Sequence, residues 1–514
     1  MPTIGINGTL FLAADALNAQ RAGIEITGHN IANVNTIGFA RQRVDLRTQT
    51  PINTSVGQQG LGVLALAIQQ VRSFILDIQV PTNQSTLSYL EEKFDLLNQV
   101  QANLGQSLNR LDPLTGSSPT ATQGGLQELM DSFFNAFEAL ATEPASTVLR
   151  QQVILTSQAL TGKLNTIGAS LENLQNQITI QITQNVSDIN STIAEIAYLN
   201  SQIASVEVGG ANHANDLRDR RQQLIEDLSK RINISTREES DRTVTIRLGA
   251  SSGPLLVSGV FSGNTASAST IKLAVSGAAS SLNIRSWTGG EAEIAGNLDV
   301  VTPQPTGGTL AAEIEAVATT IGDAGAGLIR DYNRIAAALA SLVNTQHAAG
   351  FTLEGSPAYA TAGNPTFFDD DAVNGNPLGA VTARNIQLNS FVAGDVSRIA
   401  ASSIIAEPNN GSNAASLAAL RSNTTDPSLG GLTISGYYIT SLTSLGSNIH
   451  DTDSRASTQK LVVQQLTQQR DSVMGVSLDE ETTNLLRFQH AFEANARVIS
   501  TVDIMMQTIL NLGR

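Results

Sequence analysis

Residues 477–512, SLDEETTNLLRFQHAFEANARVISTVDIMMQTILNL, decide how the rest of the chain is read. Every seventh residue from Leu478 is apolar: Leu478, Leu485, Phe492, Ile499 and Met506. The companion positions three residues on supply Phe488, Val502 and Ile509, interrupted by Glu481 and Asn495. Sustained heptads of this kind predict a long helix whose apolar seam faces another helix. Ser477 followed by Glu480 reads as a capping box, and Asp479 suits the positive helix start. Gly513 stands where a helix C-terminus places glycine. Such a helix is ~52 Å long at ~1.5 Å per residue. Burying its large apolar side chains at ~1.5–3 kcal/mol each makes the seam worth on the order of 10–20 kcal/mol. With so little chain beyond it, its cover is expected from an earlier segment, another subunit, or both. Asn495, polar within the seam, is expected to set register.

The earlier segment with a matching pattern lies at the other end. Leu10, Leu17, Ile24 and Ile31 keep the same seven-residue step, with Ala13 and Val34 at companion positions. This second heptad helix is the natural partner of the first. Turn formers Asn33, Asn35 and Gly38 end it within NIANVNTIGFARQR at 30–43. Residues 44–83 carry loop signals (Pro51, Gly57, Gly60, Gly62, Pro81) around Val63 to Ile68, expected as short strands or a hairpin.

Helical spacing begins near Ser85, with Leu87, Leu90, Phe94, Leu97 and Leu104, and again with Leu126, Leu129, Phe133, Phe137 and Leu140. After Pro144, apolar residues from Leu160 to Ile203 alternate steps of three and four, with a stutter at Ile182 and Val186. That predicts one helix of ~60 residues, ~90 Å long, a length suited to rods and fibres. Beyond Gly209–Gly210, Leu217, Leu224, Leu228 and Ile232 mark a helix bearing the charged run DLRDRRQQLIEDLSK. From 233 to 305 the period drops to two, as in Val244/Ile246/Leu248 and Ile271/Leu273/Val275, and predicts a small inserted β-domain. Ile314, Ile321, Leu328, Ile335 and Leu342 return to a step of seven despite Gly322, Gly325 and Gly327. Residues 350–410 are rich in Gly, Pro and Asn and read as an irregular loop or a short second outer excursion. A last helical stretch spans about 438–473.

The chain is therefore expected to be mainly α with inserted β, in an elongated, nested multi-domain architecture of long coiled-coil and bundle helices. Residues 1–60 and 476–514 form a terminal coiled-coil assembly domain. Residues 61–232, 306–349 and 411–475 form a long-helix bundle, with 233–305 inserted as the β-domain.

Composition narrows the function. The net charge is −15 over 514 residues, which argues against a general nucleic-acid or anionic-membrane binder. Cysteine is absent, excluding disulfides, thiolate metal sites and a cysteine nucleophile. No apolar run is long enough to span a bilayer, and the first residues, MPTIGINGTL, show no secretory signal. Aromatic residues are only 4%, the composition of slender helices rather than of a thick enzyme core.

No catalytic constellation emerges. His29, His213, His347, His450 and His490 are scattered singly, and each reads as a surface or packing residue. Asp369, Asp370 and Asp371 with Asn374 and Gly375 hint at a calcium loop, but the glycine is one place late and Ala380 stands where glutamate belongs. Neither a metal nor a cofactor is expected. The glycines of GQQGLG (57–62) read as turn glycines. The charged run at 216–231 reads most simply as a solvated helix face, with ion pairing between subunits as the alternative. The terminal heptads read as an assembly interface.

Two terminal segments resemble the flagellar rod, hook and filament axial protein family. GHNIANVNTIGFARQRV carries the N-terminal signature through Asn30, Asn33, Thr36, Gly38 and Phe39. VSLDEETTNLLRFQHAFEANARVIS resembles the C-terminal signature of hook-associated members, and DLRDRRQQLIEDLSKRINI and NTQHAAGF (344–351) agree with it. The resemblance implies a structural role without catalysis, export through the flagellar channel, and polymerisation through paired terminal helices at the hook–filament junction. It implies self-assembly into a ring or short tube, contacts with hook protein and a second hook-associated protein, and an export chaperone. Other axial roles, in hook or distal rod, are the alternative within the family. An extracellular binding protein acting through 233–304 or 350–410 is the alternative outside it.

Overall fold

The computed structural model describes residues 6–54, 57–104, 125–207, 213–258, 271–276, 283–288, 299–300, 304–323, 327–358, 366–369 and 381–512. Residues 370–380, Gly209–Gly210, Gly325 and Gly513 lie outside these, and with them most of the calcium-loop reading. The elements run α1 (Ile6–Ala32), β1 (Gln42–Thr48), β2 (Ile52–Thr54), β3 (Gly57–Gln59), β4 (Val63–Gln70), α2 (Phe74–Asn103), α3 (Leu126–Thr142), α4 (Thr147–Val206) and α5 (Asn215–Arg231). Then come β5 (Ile234–Glu238), β6 (Val244–Leu248), β7 (Leu255–Val257), β8 (Ile271–Ser276), β9 (Asn283–Thr288) and β10 (Asp299–Val300). The remainder holds α6 (Thr309–Glu315), α7 (Leu328–Ala348), β11 (Phe368–Asp369), β12 (Gln387–Leu388), α8 (Ser390–Ala393), α9 (Ser412–Ala419), α10 (Ile434–Met474) and α11 (Leu478–Leu512).

The 60-residue helix α4 is the axis of the body. Its alternating three- and four-residue steps place Leu160, Leu164, Ile167, Leu171 and the rest of the stripe to Ile203 fully inside, so one face is apolar along its whole length. Helices pair as the nested pattern predicts: α1 lies along α11, and α2 along α10. The expected hairpin is present, with β1 antiparallel to β4 and β2 to β3 at its tip. Residues 233–305 supply two three-stranded antiparallel sheets, β5–β6–β7 and β8–β9–β10.

Four expectations need correction. Pro81, a loop signal in the sequence, sits inside α2. Proline lacks an N–H, which strips the Asp77 carbonyl of its helical donor, and Gln222 Nε2 of α5 donates to that oxygen at 3.4 Å instead. Second, the heptads from Leu310 to Leu342 do not form one helix. A π-helical turn at Ala316–Ile321 follows α6, and α7 restarts after Gly327. The glycines permit this break, since a β-carbon on Gly327 would lie 1.9 Å from the Gly322 carbonyl oxygen. Third, the described residues of 350–410, which hold little regular structure, are packed on the body. Phe367 and Phe368 are fully buried against Phe133 and Phe137 of α3, with ring centroids 5.8 Å apart for Phe137–Phe367. NTQHAAGF fastens that stretch to α7: Asn344 exchanges hydrogen bonds with the Phe368 backbone at 2.8 and 2.9 Å, and His347 Nε2 accepts from Ala400 N at 3.0 Å. Burial lowers His347 to about 4, so it is neutral near pH 7. Fourth, Glu480 does not close a capping box on Ser477; its carboxylate ion-pairs with Arg41 at 2.6 Å.

Candidate assembly interface

Helices α1 and α11 run antiparallel, because Asn30 meets Glu481 while Gly23 meets Phe488. The face of α1 that closes on α11 is made of small side chains. Ala13, Ala16, Ala19, Thr27 and Asn30 are buried there, with Gly23 among them. Leu10, Leu17, Ile24 and Ile31, the expected seam, flank this face and are only half-buried. The physical reason is complementarity: α11 contributes bulky groups, so the facing positions must be small for the axes to approach.

On α11 the seam runs through Glu481, Leu485, Phe488, Asn495, Ile499, Val502 and Met506, all buried or half-buried. Glu481 interrupts the apolar pattern in sequence, yet at 2% exposure it is the most buried of these. Asn495 donates to Ala491 O at 2.9 Å within its own helix, and the polar side-chain contact between α1 and α11 is made by Asn30 and Glu481. Leu478, Phe492 and Ile509 are not covered by α1, and Leu478 and Ile509 stand 49% and 54% exposed. Val498 and Met505 join them at 42% and 46%. At 3.6 residues per turn Val498, Met505 and Ile509 fall on one side of α11 and Leu478 on the other, so the helix is apolar on the face that pairs and also on a flank that nothing in the described chain covers.

The polar end of the pair is a dense network. Asn30 Nδ2 donates to Glu481 Oε2 at 3.0 Å and to Gln42 O at 2.8 Å, while Asn30 Oδ1 accepts from Gln42 N at 2.9 Å. Arg41 Nε ion-pairs with Glu481 at 2.7 Å, and Arg41 N donates to Met474 O at 2.9 Å. One short segment therefore ties the end of α1 to the junction between α10 and α11.

The motif residues between them build the turn. Asn33 Nδ2 donates to His29 O at 3.0 Å, and Thr36 Oγ1 donates to Asn33 Oδ1 at 3.1 Å. Gly38 holds φ +80° and lies where a β-carbon would be 2.7 Å from the Gln223 side chain. Phe39 stands edge-on to His29 with ring centroids 5.4 Å apart.

The turn is seated on α5, whose charged run is only partly a solvated face: Asp216, Arg220, Asp227 and Lys230 are exposed, and the rest is engaged by neighbouring elements. Asp219 Oδ2 accepts from Ala40 N at 3.2 Å, Asp216 from Gln42 Nε2 at 3.1 Å, and Gln223 Nε2 donates to the Ile37 carbonyl. Glu226 pairs with Arg470 of α10 at 2.6 Å and Arg218 with Glu207 at 2.5 Å. Burial pushes Asp219 up to about 6, against the opposing pull of Arg72 and the Ala40 N–H. Asn215, Asp219 and Gln42 were not singled out by sequence reasoning. Their side chains reach partners more than a hundred residues away, so no local pattern marks them. Glu481 did carry a signal, as a charge on an apolar heptad position.

Among the described residues, no group of three or more His, Asp or Glu side chains is placed to hold a metal ion. What the geometry offers is a rigidly seated helix pair with an unfinished apolar surface.

The pattern described as the flagellar hook-associated protein FlgK helical domain matches residues 95–365, more than half of the chain. Residues 11–39 match the flagella basal body rod protein pattern, and 467–512 the C-terminal pattern of the flagellar basal body rod FlgEFG proteins. The flagellar hook-associated protein 1 of Bacillus subtilis (strain 168) is 26% identical over 522 residues, covering 97% of each chain. That of Salmonella typhimurium is 23% identical over 583 residues, covering 97% of this chain and 99% of its own. The solved structure of the flagellar hook junction protein FlgK from Burkholderia pseudomallei superposes with a TM-score of 0.61 at 17% identity, covering 77% of this chain and all of its own, which shows a common fold. The chain belongs to the flagellar hook-associated protein FlgK family.

Proposed function

We propose that this chain is an extracellular structural subunit of the bacterial flagellum that joins hook to filament. It works by assembly and has no substrate. The carrying observation is the uncovered apolar flank of α11 formed by Val498, Met505 and Ile509, on a helix whose other face already pairs with α1. Exposed apolar side chains strung along a helix favour burial against copies of the same helix pair, at roughly 25 cal/mol per Å² removed from water. The Asn30–Arg41–Glu481 network fixes how the pair leaves the body, so every subunit presents that flank at one angle. A ring or short tube follows, with hook protein on one side and a second hook-associated protein on the other. Before assembly the same flank would need a chaperone during export. The relatives' names support this setting. Electron microscopy of a strain lacking the chain tests it: hooks without filaments are expected, and normal filaments would refute the reading.

A further inference from the structure

Away from the terminal helices, a cleft of about 380 Å³ opens between the end of β4, the first turn of α2, the first half of α5 and the β5–β6 turn. Two arginines line it without a carboxylate partner among the described residues. Arg221 is only 5% exposed, and its Nη1 is held by neutral acceptors, Asn200 Oδ1 at 2.9 Å and the Arg242 carbonyl oxygen at 3.0 Å. Arg242 stands on the rim with φ +68°, in the left-handed region. Its N–H donates to Glu239 O at 3.0 Å and Glu239 N donates to Thr243 O at 2.8 Å, a hairpin turn whose left-handed position glycine or asparagine fills without penalty. An arginine kept in that conformation places charge on the cleft at a conformational cost, a pattern that marks functional sites.

The acidic groups on the same walls are already engaged. Asp77 pairs with Arg72 at 3.1 Å, and Glu238 lies 3.7 Å from Arg218. Glu238 and Glu207 act on Arg221 from a distance, but its hydrogen bonds go to neutral acceptors, so its guanidinium lacks the planar, charged partner in contact that its fork of donors fits best. The cleft volume lies within the range of small-ligand sites.

We propose that this cleft binds a carboxylate through Arg221 and Arg242. A small polycarboxylate or an acidic side chain of a second copy of this chain could supply it, and the test separates the two. The full-length wild type, R242G and R221Q are titrated with citrate at constant ionic strength by calorimetry, and their self-association is measured by sedimentation. Citrate should bind the wild type and weaken about tenfold or more in R242G, the loss of one charge-assisted contact. R242G should at the same time melt higher, because glycine relieves the left-handed turn, so weaker binding there cannot be misfolding. If citrate gives no heat but self-association falls in both variants, the carboxylate belongs to the neighbouring copy. Citrate binding equal in all three proteins would overturn the proposal. So would no citrate binding with identical self-association.

Discussion

The ring of Phe488 lies so close against Gly23 that a β-carbon on the glycine would sit 2.8 Å from ring atoms Cδ1 and Cε1. Glycine inside a helix costs ~0.5–1 kcal/mol relative to alanine, so its place at the middle of α1 is explained by the ring it admits. Phe488 acts as a knob in a hole with no side chain, and that contact sets the spacing of the terminal pair.

Gly23→Ala therefore tests two opposed effects. Helix propensity improves by up to ~1 kcal/mol, while overpacking against Phe488 costs ~1–3 kcal/mol. The pair should be destabilised overall, read as faster amide exchange in α1 and α11. Adding Phe488→Leu frees the space and should restore protection above that of Gly23→Ala alone.

Arg41 and Glu481 are expected to couple strongly. Glu481 is buried and is also bonded to Asn30, whereas Arg41 keeps a second partner in Glu480 at 2.6 Å. A double-mutant cycle with Arg41→Ala and Glu481→Ala should give a coupling of ~1–3 kcal/mol in the stability of the terminal pair. A coupling near zero would show that Glu481 is held by Asn30 alone.

Stability should fall as pH rises toward neutrality, because of Glu313. Burial raises this carboxyl from 4.5 to about 7; the Asn185 hydrogen bond at 3.2 Å opposes the shift and Glu92 reinforces it. Between 4.5 and about 7 the folded chain keeps a proton that the unfolded chain releases, so stability present below that window is lost as pH rises through it. His347, lowered from 6.5 to about 4, acts in the opposite sense and loses stability as pH falls through that range. The cleanest window is about pH 7 to 8, where His347 is largely neutral even in the unfolded chain while Glu313 is still losing its proton. Urea midpoints there should decline with pH in the wild type and stay level in Glu313→Gln, which gains ~1–3 kcal/mol at pH 8.

Arg150 offers a test in the body. It is fully buried and joins the start of α4 to the 396–399 segment, with Nε donating to Pro144 O and Nη1 to Ile399 O, both at 2.7 Å. A lysine has one compact ammonium and cannot span both sites. Arg150→Lys should cost ~2–4 kcal/mol in urea unfolding, because buried carbonyls are left unpaired.

Legibility in the sequence followed the strength of the apolar signal. Helix α4 could be read from end to end because its stripe is unbroken and Pro144 precedes it. The pairing of α1 with α11 was visible in their heptads, but the contacting face of α1 was not, since Ala13, Ala16, Ala19 and Gly23 carry almost no hydropathy contrast. In the run at 216–231 the exposed charges (Asp216, Arg220, Asp227, Lys230) could not be told from the engaged ones, because paired and hydrated charges look alike in a sequence. Asp219 reaches Ala40 across 179 positions, and Arg470 reaches Glu226 across 244. Residues 350–410 lack periodicity, so the anchoring by Phe367 and Phe368 could not be seen. In the 310–342 heptads, packing on α4 preserves the apolar step across a break that the glycines require.

The uncovered flank of α11 is the central claim, and Val498→Asp with Met505→Asp addresses it without touching the buried seam. The doubly substituted chain, expressed in a deletion strain, should appear in the medium with a wild-type urea midpoint, while electron micrographs show hooks that lack filaments. Filaments as numerous as those restored by the wild-type chain would contradict assembly through this flank.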